Sequence, residues 1–292
     1  MFTGLLTHTV NGLVGGGFYA LLALGLAVIF GLLRVVNFAH GAFYMLGAVG
    51  AFVLLEEFGL SFWTAIVLVP LVLGLLGTVL ERTVVRRLST LDPLYNFLLT
   101  FGLTLILQDA VKSRYGTQSK PYGAPAGLGG TVDFGVFDFP AYRIFVLAVA
   151  VALCALAWWL LTRTRVGMVV RAGIERPDLT RALGIDVGRW IAPVFGFGVA
   201  LAALAGVLAA PMRAVNPLMG ADLIIGVFAV VVIGGLGSVF GSVAVAFGVG
   251  LLQAWSEAYA PPLLAQTLIF LVMALVLLVR PAGLFGREER SA

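Results

Sequence analysis

The sequence is poor in the residues that build disulfides and metal centres. Cysteine occurs once, at Cys154 within an apolar run, which excludes an intrachain disulfide and a thiolate metal cluster. Histidine occurs only at His8 and His40. A single histidine without neighbouring carboxylates makes neither a metal site nor a proton relay, so we expect no bound metal.

Lysine is also scarce, with Lys112 and Lys120 as its only occurrences. A P-loop needs Gly-Lys followed by Ser or Thr, because backbone amides and the lysine together hold the phosphates. Val111 and Ser119 precede the two lysines, so this chain does not bind ATP in that way. The sequence also has no HExxH motif, paired catalytic carboxylates or serine elbow, which leaves little support for a lipid-acting enzyme.

Charge is sparse and hydrophobic residues dominate the chain. Of 292 residues, 11% are charged and 61% hydrophobic, far more apolar surface than a soluble core can hide. This composition predicts a polytopic membrane protein. The net charge of +4 does not indicate nucleic-acid binding, because the basic residues lie between apolar runs and form no continuous face.

Nine apolar runs are long enough to cross a bilayer, which takes about 20 residues. They lie at 10–33, 38–57, 61–80, 94–111, 142–162, 191–212, 217–236, 238–257 and 262–280. In an alternative arrangement with eight spans, one glycine-rich segment enters the membrane without crossing it. We therefore expect an all-α membrane protein of eight to nine transmembrane helices, forming a single domain over residues 1–292.

The basic residues predict the orientation, because cytoplasmic loops carry the excess of Lys and Arg. With nine spans and the N-terminus outside, the cytoplasmic side holds Arg34, Arg82, Arg86, Arg87, Arg163, Arg165, Arg171, Arg176, Arg181, Arg189, Arg280, Arg287 and Arg290. The outer side holds Lys112, Arg114, Lys120, Arg143 and Arg213. The 163–190 loop and the C-terminus are then cytoplasmic, and the 112–142 loop lies outside.

The longest charged interruption runs from residue 163 to 190 and contains a compact helix pattern. Pro177 suits a first-turn position, Asp178 places a carboxylate near the positive helix end, and Gly184 supplies a stop. One face of this helix carries Leu179, Ala182 and Leu183. Such a helix offers a surface for a partner, whereas the simpler alternative is a loop whose arginines only set topology.

Two asparagines precede apolar helical patterns. Asn37 is predicted to cap a helix beginning at Phe38, and Asn216 with Pro217 makes a second helix start. Paired helix starts in the two halves of a transporter can bind an anionic group such as a carboxylate. Alternatively, both are interfacial turns. His40 is a proton carrier, a ligand contact or a hydrogen-bonded partner near the first turn.

A glycine-rich segment at 230–252 and three carboxylates complete the candidates. Gly237 and Gly241 have the spacing that lets helices approach closely, which favours packing over a phosphate cradle. The carboxylates of Asp109, Asp222 and Glu257 lie near span ends, where interfacial placement explains them. If they instead carry ions, the chain is an ion-coupled secondary transporter.

Three stretches together resemble the permease subunits of bacterial branched-chain amino-acid ABC importers, of the LivH type. They are GGFYALLALGLAVIFGLLRVVNFAHGAFYMLGA at 16–48, RTRVGMVVRAGIERPDLTRALGID at 163–186 and VVVIGGLGSVFGSVAVAFGVGLL at 230–252. The similarity covers nearly the whole chain. It implies the ABC importer permease fold in the bacterial inner membrane.

The resemblance also implies partners and site residues. The partners are a second, LivM-type permease, two cytoplasmic ATPases that hydrolyse ATP, and a periplasmic amino-acid-binding protein. The implied ATPase contact comprises Arg171, Ala172, Leu179, Ala182, Leu183 and Gly184. The residues that match the family box near the translocation path are Asn37, Phe38, His40 and Gly41. Related systems carry urea, amides or aromatic acids, so these cargoes stay open, as does a structural subunit without a pathway.

Overall fold

The computed structural model describes residues 2–33, 37–88, 91–133, 135, 138–175 and 177–286. Most of these residues are helical, and a pair of three-residue strands is the only sheet among them. The first six helices are α1 (Phe2–Leu33), α2 (Ala39–Glu56), α3 (Phe62–Leu80), α4 (Arg86–Leu88), α5 (Pro93–Tyr115) and α6 (Ala141–Arg163). They are followed by α7 (Arg165–Glu175), α8 (Pro177–Ala182), α9 (Gly188–Ala209), α10 (Met219–Gly234), α11 (Val239–Tyr259) and α12 (Pro262–Val279).

The long helices coincide with the nine apolar runs of the sequence. Within the described part of the chain, seven helices are long and apolar enough to cross a membrane: Gly4–Leu33, Ala39–Glu56, Phe62–Leu88, Pro93–Tyr115, Ala141–Arg163, Gly188–Ala209 and Val239–Tyr259. The apolar stretches Met219–Gly234 and Thr267–Val279 are shorter. The predicted polytopic all-α architecture is confirmed.

Helix α3 continues further than the apolar run predicted. It passes through a π-helical turn, Glu81–Val85, into α4, so the span reaches Leu88. The strands β1 (Thr131–Asp133) and β2 (Asp138–Pro140) pair antiparallel within the 112–142 loop.

The chain forms two compact units. Unit 1 comprises residues 1–27, 124–154 and 225–292, and unit 2 comprises residues 28–123 and 155–224. Three of the four boundaries fall inside α1, α6 and α10, and the fourth, after residue 123, lies in the 112–142 loop.

Small residues let the central helices of unit 2 approach closely. A side chain at Gly47 of α2 would collide with the backbone of Ala203 in α9, and one at Gly206 would collide with the Tyr44 carbonyl. On the other side of α9, the backbone at Gly196 lies against Gly74 of α3. Because no Cβ intervenes, α9 packs backbone to backbone against both α2 and α3.

Unit 1 uses the same principle between α1 and α11. A Cβ at Gly16 would lie 2.8 Å from the Phe247 Cα, and a Cβ at Gly250 would lie 2.5 Å from the Gly16 Cα. Polar groups add a side-chain hydrogen bond, which Arg143 donates to Asn11 at 2.5 Å. The glycines of α1 and α11 therefore set the spacing of this unit.

The 230–252 segment folds as a tight turn followed by a capped helix. Gly235 and Gly237 adopt φ values of +101° and +84°, which side-chain-bearing residues rarely adopt. The Ser238 hydroxyl accepts a hydrogen bond from the Gly241 amide at the start of α11. Residues 284 and 285 donate backbone hydrogen bonds to Ile233 and Gly234, so this turn is packed against later chain, as the packing interpretation expected.

Replacement of Gly206 by alanine is expected to destabilise unit 2, because the new methyl group meets the Tyr44 carbonyl and lies 2.9 Å from the Ala48 amide nitrogen. Overpacking of this kind costs about 1–3 kcal/mol. The measurement is the thermal unfolding midpoint of the purified protein in detergent.

Gly102→Ala is the matched control, because a methyl group at this helical glycine meets nothing within 4 Å. Its midpoint should stay unchanged or rise slightly, since alanine is the better helix former. Equal midpoints for the two variants would contradict the close approach of α2 and α9.

Candidate functional site

Unit 2 encloses a cavity of about 110 Å³ between four of its helices. Its walls come from the start of α2, the α3 end with its π-helical turn, α5 and α9. The lining residues are Asn37, Ala39, Phe43, Leu80, Val84, Val85, Leu99, Thr100, Leu103 and Phe195. Asn37 and Thr100 are the polar members of a wall that is otherwise apolar.

Asn37 does not cap α2. The helix begins at Ala39, and no side chain makes a hydrogen bond at its N-cap position, Phe38. The predicted cap is therefore wrong. The backbone carbonyl of Asn37 instead accepts a hydrogen bond from the His40 backbone amide at 3.3 Å. Asn37 is 1% exposed and lines the cavity, and its side-chain amide has no hydrogen-bond partner.

The neighbours of Asn37 pack around the beginning of α2. The Phe38 ring contacts Phe97 of α5 edge to face, with ring centroids 5.0 Å apart. His40 is fully buried. A Cβ at Gly41 would lie 2.5 Å from the Gly220 carbonyl oxygen, so this glycine permits the start of α10 to touch α2.

Asn216 lies in a different place. Its side-chain oxygen accepts a hydrogen bond from the Leu218 amide at 3.0 Å, and α10 begins at Met219, two residues later than the sequence suggested. It lines a separate small hollow with Val49 and Phe52, which belong to the C-terminal half of α2. Asn37 and Asn216 therefore do not share a cavity.

The helix predicted within the 163–190 segment is present with the expected limits. Helix α8 begins at Pro177, and Gly184 ends it with a φ of +80°. The Ile185 amide reaches the Thr180 carbonyl at 3.2 Å, the hydrogen bond of a Schellman motif. This motif leaves Leu183 outside the helix end with 80% of its surface exposed, and Leu179 is also exposed.

Sequence reasoning missed α7, which precedes α8. Gly167, Val170 and Gly173 are buried on one face of α7, whereas Arg171 is exposed. That spacing of small apolar residues among arginines was the available signal. The Thr180 hydroxyl donates a hydrogen bond to the Ala172 carbonyl at 3.0 Å and so ties α8 to α7.

The α7–α8 surface is defined here by Arg171, Ala172, Leu179, Ala182, Leu183 and Gly184. It joins an open hollow of about 440 Å³ lined by Gly184, Asp186, Arg189, Trp190 and Pro193. Arg189 and Asp186 form an exposed ion pair at 3.0 Å. The Arg86 guanidinium lies beside Gly188, so the end of the α3–α4 helix contacts the start of α9 at this surface.

Two buried polar residues were also missed. Glu81 begins the π-helical turn and is 0% exposed, and neither carboxylate oxygen has a hydrogen-bond partner. Asn96 on α5 is equally buried, and its side-chain amide has no partner. The sequence placed Glu81 just beyond a span, beside Arg82, where a solvated carboxylate is the ordinary expectation.

The carboxylates considered for ion coupling are exposed. Asp109, Asp222 and Glu257 all lie on exposed positions of α5, α10 and α11, and Glu257 accepts a hydrogen bond from Gln253 at 2.8 Å. Within the described ranges, no three histidine, cysteine, aspartate or glutamate residues are grouped as a metal site would require.

Membrane-length helices, a largely apolar internal cavity and an exposed two-helix surface suit a transport subunit of the polytopic permease class. A family model described as "Branched-chain amino acid transport system / permease component" matches residues 8–277. The chain belongs to this family. It is a transport subunit and not an enzyme.

Relatives from several bacteria support this assignment. The chain is 32% identical to the high-affinity branched-chain amino acid transport system permease protein BraD of Pseudomonas aeruginosa, covering 97% of this chain and 96% of the relative. It is 30% identical to LivH of Escherichia coli, with 99% and 97% covered. The permease protein LivM of Salmonella typhimurium is 30% identical, with 76% of this chain and 57% of the relative covered.

Proposed function

We propose that this chain is the membrane-spanning permease subunit of an ATP-driven importer for branched-chain or related hydrophobic amino acids. The observation that carries the proposal is the family match over residues 8–277, together with relatives named as branched-chain amino acid permeases over nearly their whole length. The cavity supports it, because apolar walls with a few neutral polar groups suit a hydrophobic cargo.

The importer has further subunits in this proposal. The similarity to LivM as well as LivH supports a second permease of related sequence. Two ATPase subunits supply the energy, since neither lysine here lies in a P-loop, and a periplasmic binding protein delivers the amino acid. ATP is then bound and hydrolysed by the partner subunits.

The α7–α8 surface is the ATPase contact in this scheme. Its exposed leucines, Leu179 and Leu183, offer an apolar patch to a groove, and Arg171 borders them. The Thr180–Ala172 hydrogen bond makes the two helices move together. Movement of the surface reaches α9 directly, because α9 follows α8 after five residues.

The proposed translocation path includes Asn37, Phe38, His40 and Gly41 at one end of α2 and Asn216 beside its other end. The positive end of the α2 helix dipole suits the carboxylate of a passing amino acid. In the bacterial inner membrane the α7–α8 surface and the C-terminus face the cytoplasm, and the 112–142 loop faces the periplasm.

Reconstitution tests the function directly. Proteoliposomes that contain this chain, its second permease, both ATPases, the binding protein and internal ATP should accumulate leucine. Omission of the ATPases should abolish uptake. Uptake that follows an ion gradient without the ATPases would instead favour a secondary transporter.

Leu183→Asp is expected to detach the ATPases, because it places a charge in the centre of the apolar patch. Co-purification of the ATPases with a tagged permease should fall at least tenfold, while membrane insertion stays normal. Leu60→Asp is the matched control, since Leu60 is exposed in the loop between α2 and α3. Retained co-purification in Leu183→Asp would refute the ATPase contact.

A cysteine at Gly123 tests the orientation. In a background with Cys154→Ala, Gly123→Cys should react with a membrane-impermeant maleimide applied to spheroplasts, because a side chain there has open space around it. Arg189→Cys, at an exposed position beside the α7–α8 surface, should react only after permeabilisation. The reverse pattern would invert the topology.

A further inference from the structure

Three buried polar side chains of unit 2 belong to elements that line the cavity. They are Asn37, Glu81 and Asn96, and none of their side-chain nitrogen or oxygen atoms has a hydrogen-bond partner. Burying such groups in a membrane protein costs free energy, because neither water nor lipid supplies the missing hydrogen bonds. Polar groups of this kind often mark paths for substrates or ions.

The positions of these residues relate them to one cavity. Asn37 lines it directly. Glu81 directly follows the lining residue Leu80 and precedes the lining residues Val84 and Val85. Asn96 lies one helical turn before the lining residue Thr100, whose hydroxyl donates a hydrogen bond to the Asn96 carbonyl at 3.0 Å.

The hydrogen-bond acceptors of these side chains indicate what kind of ligand the cavity binds. Both oxygens of the Glu81 carboxylate are acceptors without a donor, and the side-chain oxygen of Asn96 is another. Arg86 and Arg82 interact electrostatically with this carboxylate, but no group donates a hydrogen bond to it, and a buried polar group needs such bonds. A small cation with several N–H donors supplies the missing hydrogen bonds together with further positive charge, and an ammonium group is such a cation.

We infer that Glu81, assisted by Asn96, forms a subsite for the ammonium group of an α-amino acid in transit. Asn37, at the positive end of the α2 dipole, faces the carboxylate of the same molecule, and the apolar walls receive its side chain. The inference rests on the proposed function and narrows it, because urea and simple amides carry no ammonium group.

The local backbone supports a functional role for Glu81. It begins a π-helical turn, and such turns occur often at functional sites, where the extra residue redirects side chains. The turn starts where the apolar part of α3 ends and leads towards Arg86, which lies beside Gly188 at the α7–α8 surface. The proposed subsite is thus connected by continuous helix to the proposed ATPase contact.

The test compares Glu81→Gln, Glu81→Asp and the control Glu56→Gln, whose carboxylate is exposed at the end of α2. In proteoliposomes with the complete complex, leucine uptake should fall at least tenfold in Glu81→Gln, because a charged hydrogen-bonding partner is lost. Glu81→Asp should retain part of the uptake, and Glu56→Gln all of it.

Thermal stability separates binding from a structural role. Glu81→Gln removes the cost of burying a carboxylate along with its attraction to Arg86 and Arg82, so the melting temperature of the complex should stay unchanged or rise. Lower uptake with unchanged or higher stability supports the ammonium subsite. Lower uptake together with a lower melting temperature or lost assembly, or unchanged uptake, would overturn it.

The cation that binds Glu81 is either the ammonium group of the substrate or an inorganic cation of the buffer. A change of salt distinguishes the two. Replacement of Na⁺ and K⁺ by choline should leave wild-type uptake unchanged, whereas loss of uptake would assign Glu81 to an inorganic cation and overturn the inference. If the wild type carries leucine and Glu81→Gln does so equally well, only this inference fails. If the wild type carries urea or acetamide but no amino acid, the proposed substrate class fails with it.

Discussion

The close backbone contact of α9 with α2 and α3 is the constraint on which unit 2 depends. Glycines at positions such as 47, 74, 196 and 206 remove the side chains that would otherwise separate these helices. In a bilayer there is little hydrophobic drive for helix association, so contact area and complementary shape must stabilise the fold. The cavity lies where this tight packing gives way to larger residues, including Phe43 and Phe195.

This arrangement places the proposed chemistry and the proposed mechanics on the same elements. Helix α9 contributes Phe195 to the cavity and Trp190 and Pro193 to the hollow beside the α7–α8 surface. The α3–α4 helix contributes Val84 to the cavity, and its Arg86 lies beside Gly188 at the start of α9. In the proposed scheme, α9 and the α3–α4 helix are therefore the elements that link the α7–α8 surface to the cavity.

Much of the fold was predictable because each apolar run maps to one helix. The limits of α8 were also predictable, since Pro177 and Gly184 act through backbone geometry that neighbouring elements do not change. The predictions that failed concerned residues whose placement depends on contacts with other helices. Asn37 had the right residue type for a cap, but the chain turned its side chain into the cavity.

The burial of Glu81 was also missed because it depends on neighbouring helices. Sequence hydropathy ends the span at residue 80, whereas helix packing extends it and buries the carboxylate. Helix α7 was missed because its arginines resembled a topology signal, and only the burial of Gly167 and Gly173 distinguishes a packed helix from a loop. The roles of Asn37 and Asn216 in transport stay predictions.

The backbone hydrogen bonds from Leu284 and Phe285 to Ile233 and Gly234 have a consequence for biogenesis. All residues of unit 2 are synthesised before residue 225, whereas unit 1 includes residues up to the end of the chain. The turn before α11 acquires these hydrogen bonds only after residue 285 has left the ribosomal tunnel. Unit 1 is therefore the unit completed last, and a nascent chain stalled within α12 would lack both hydrogen bonds.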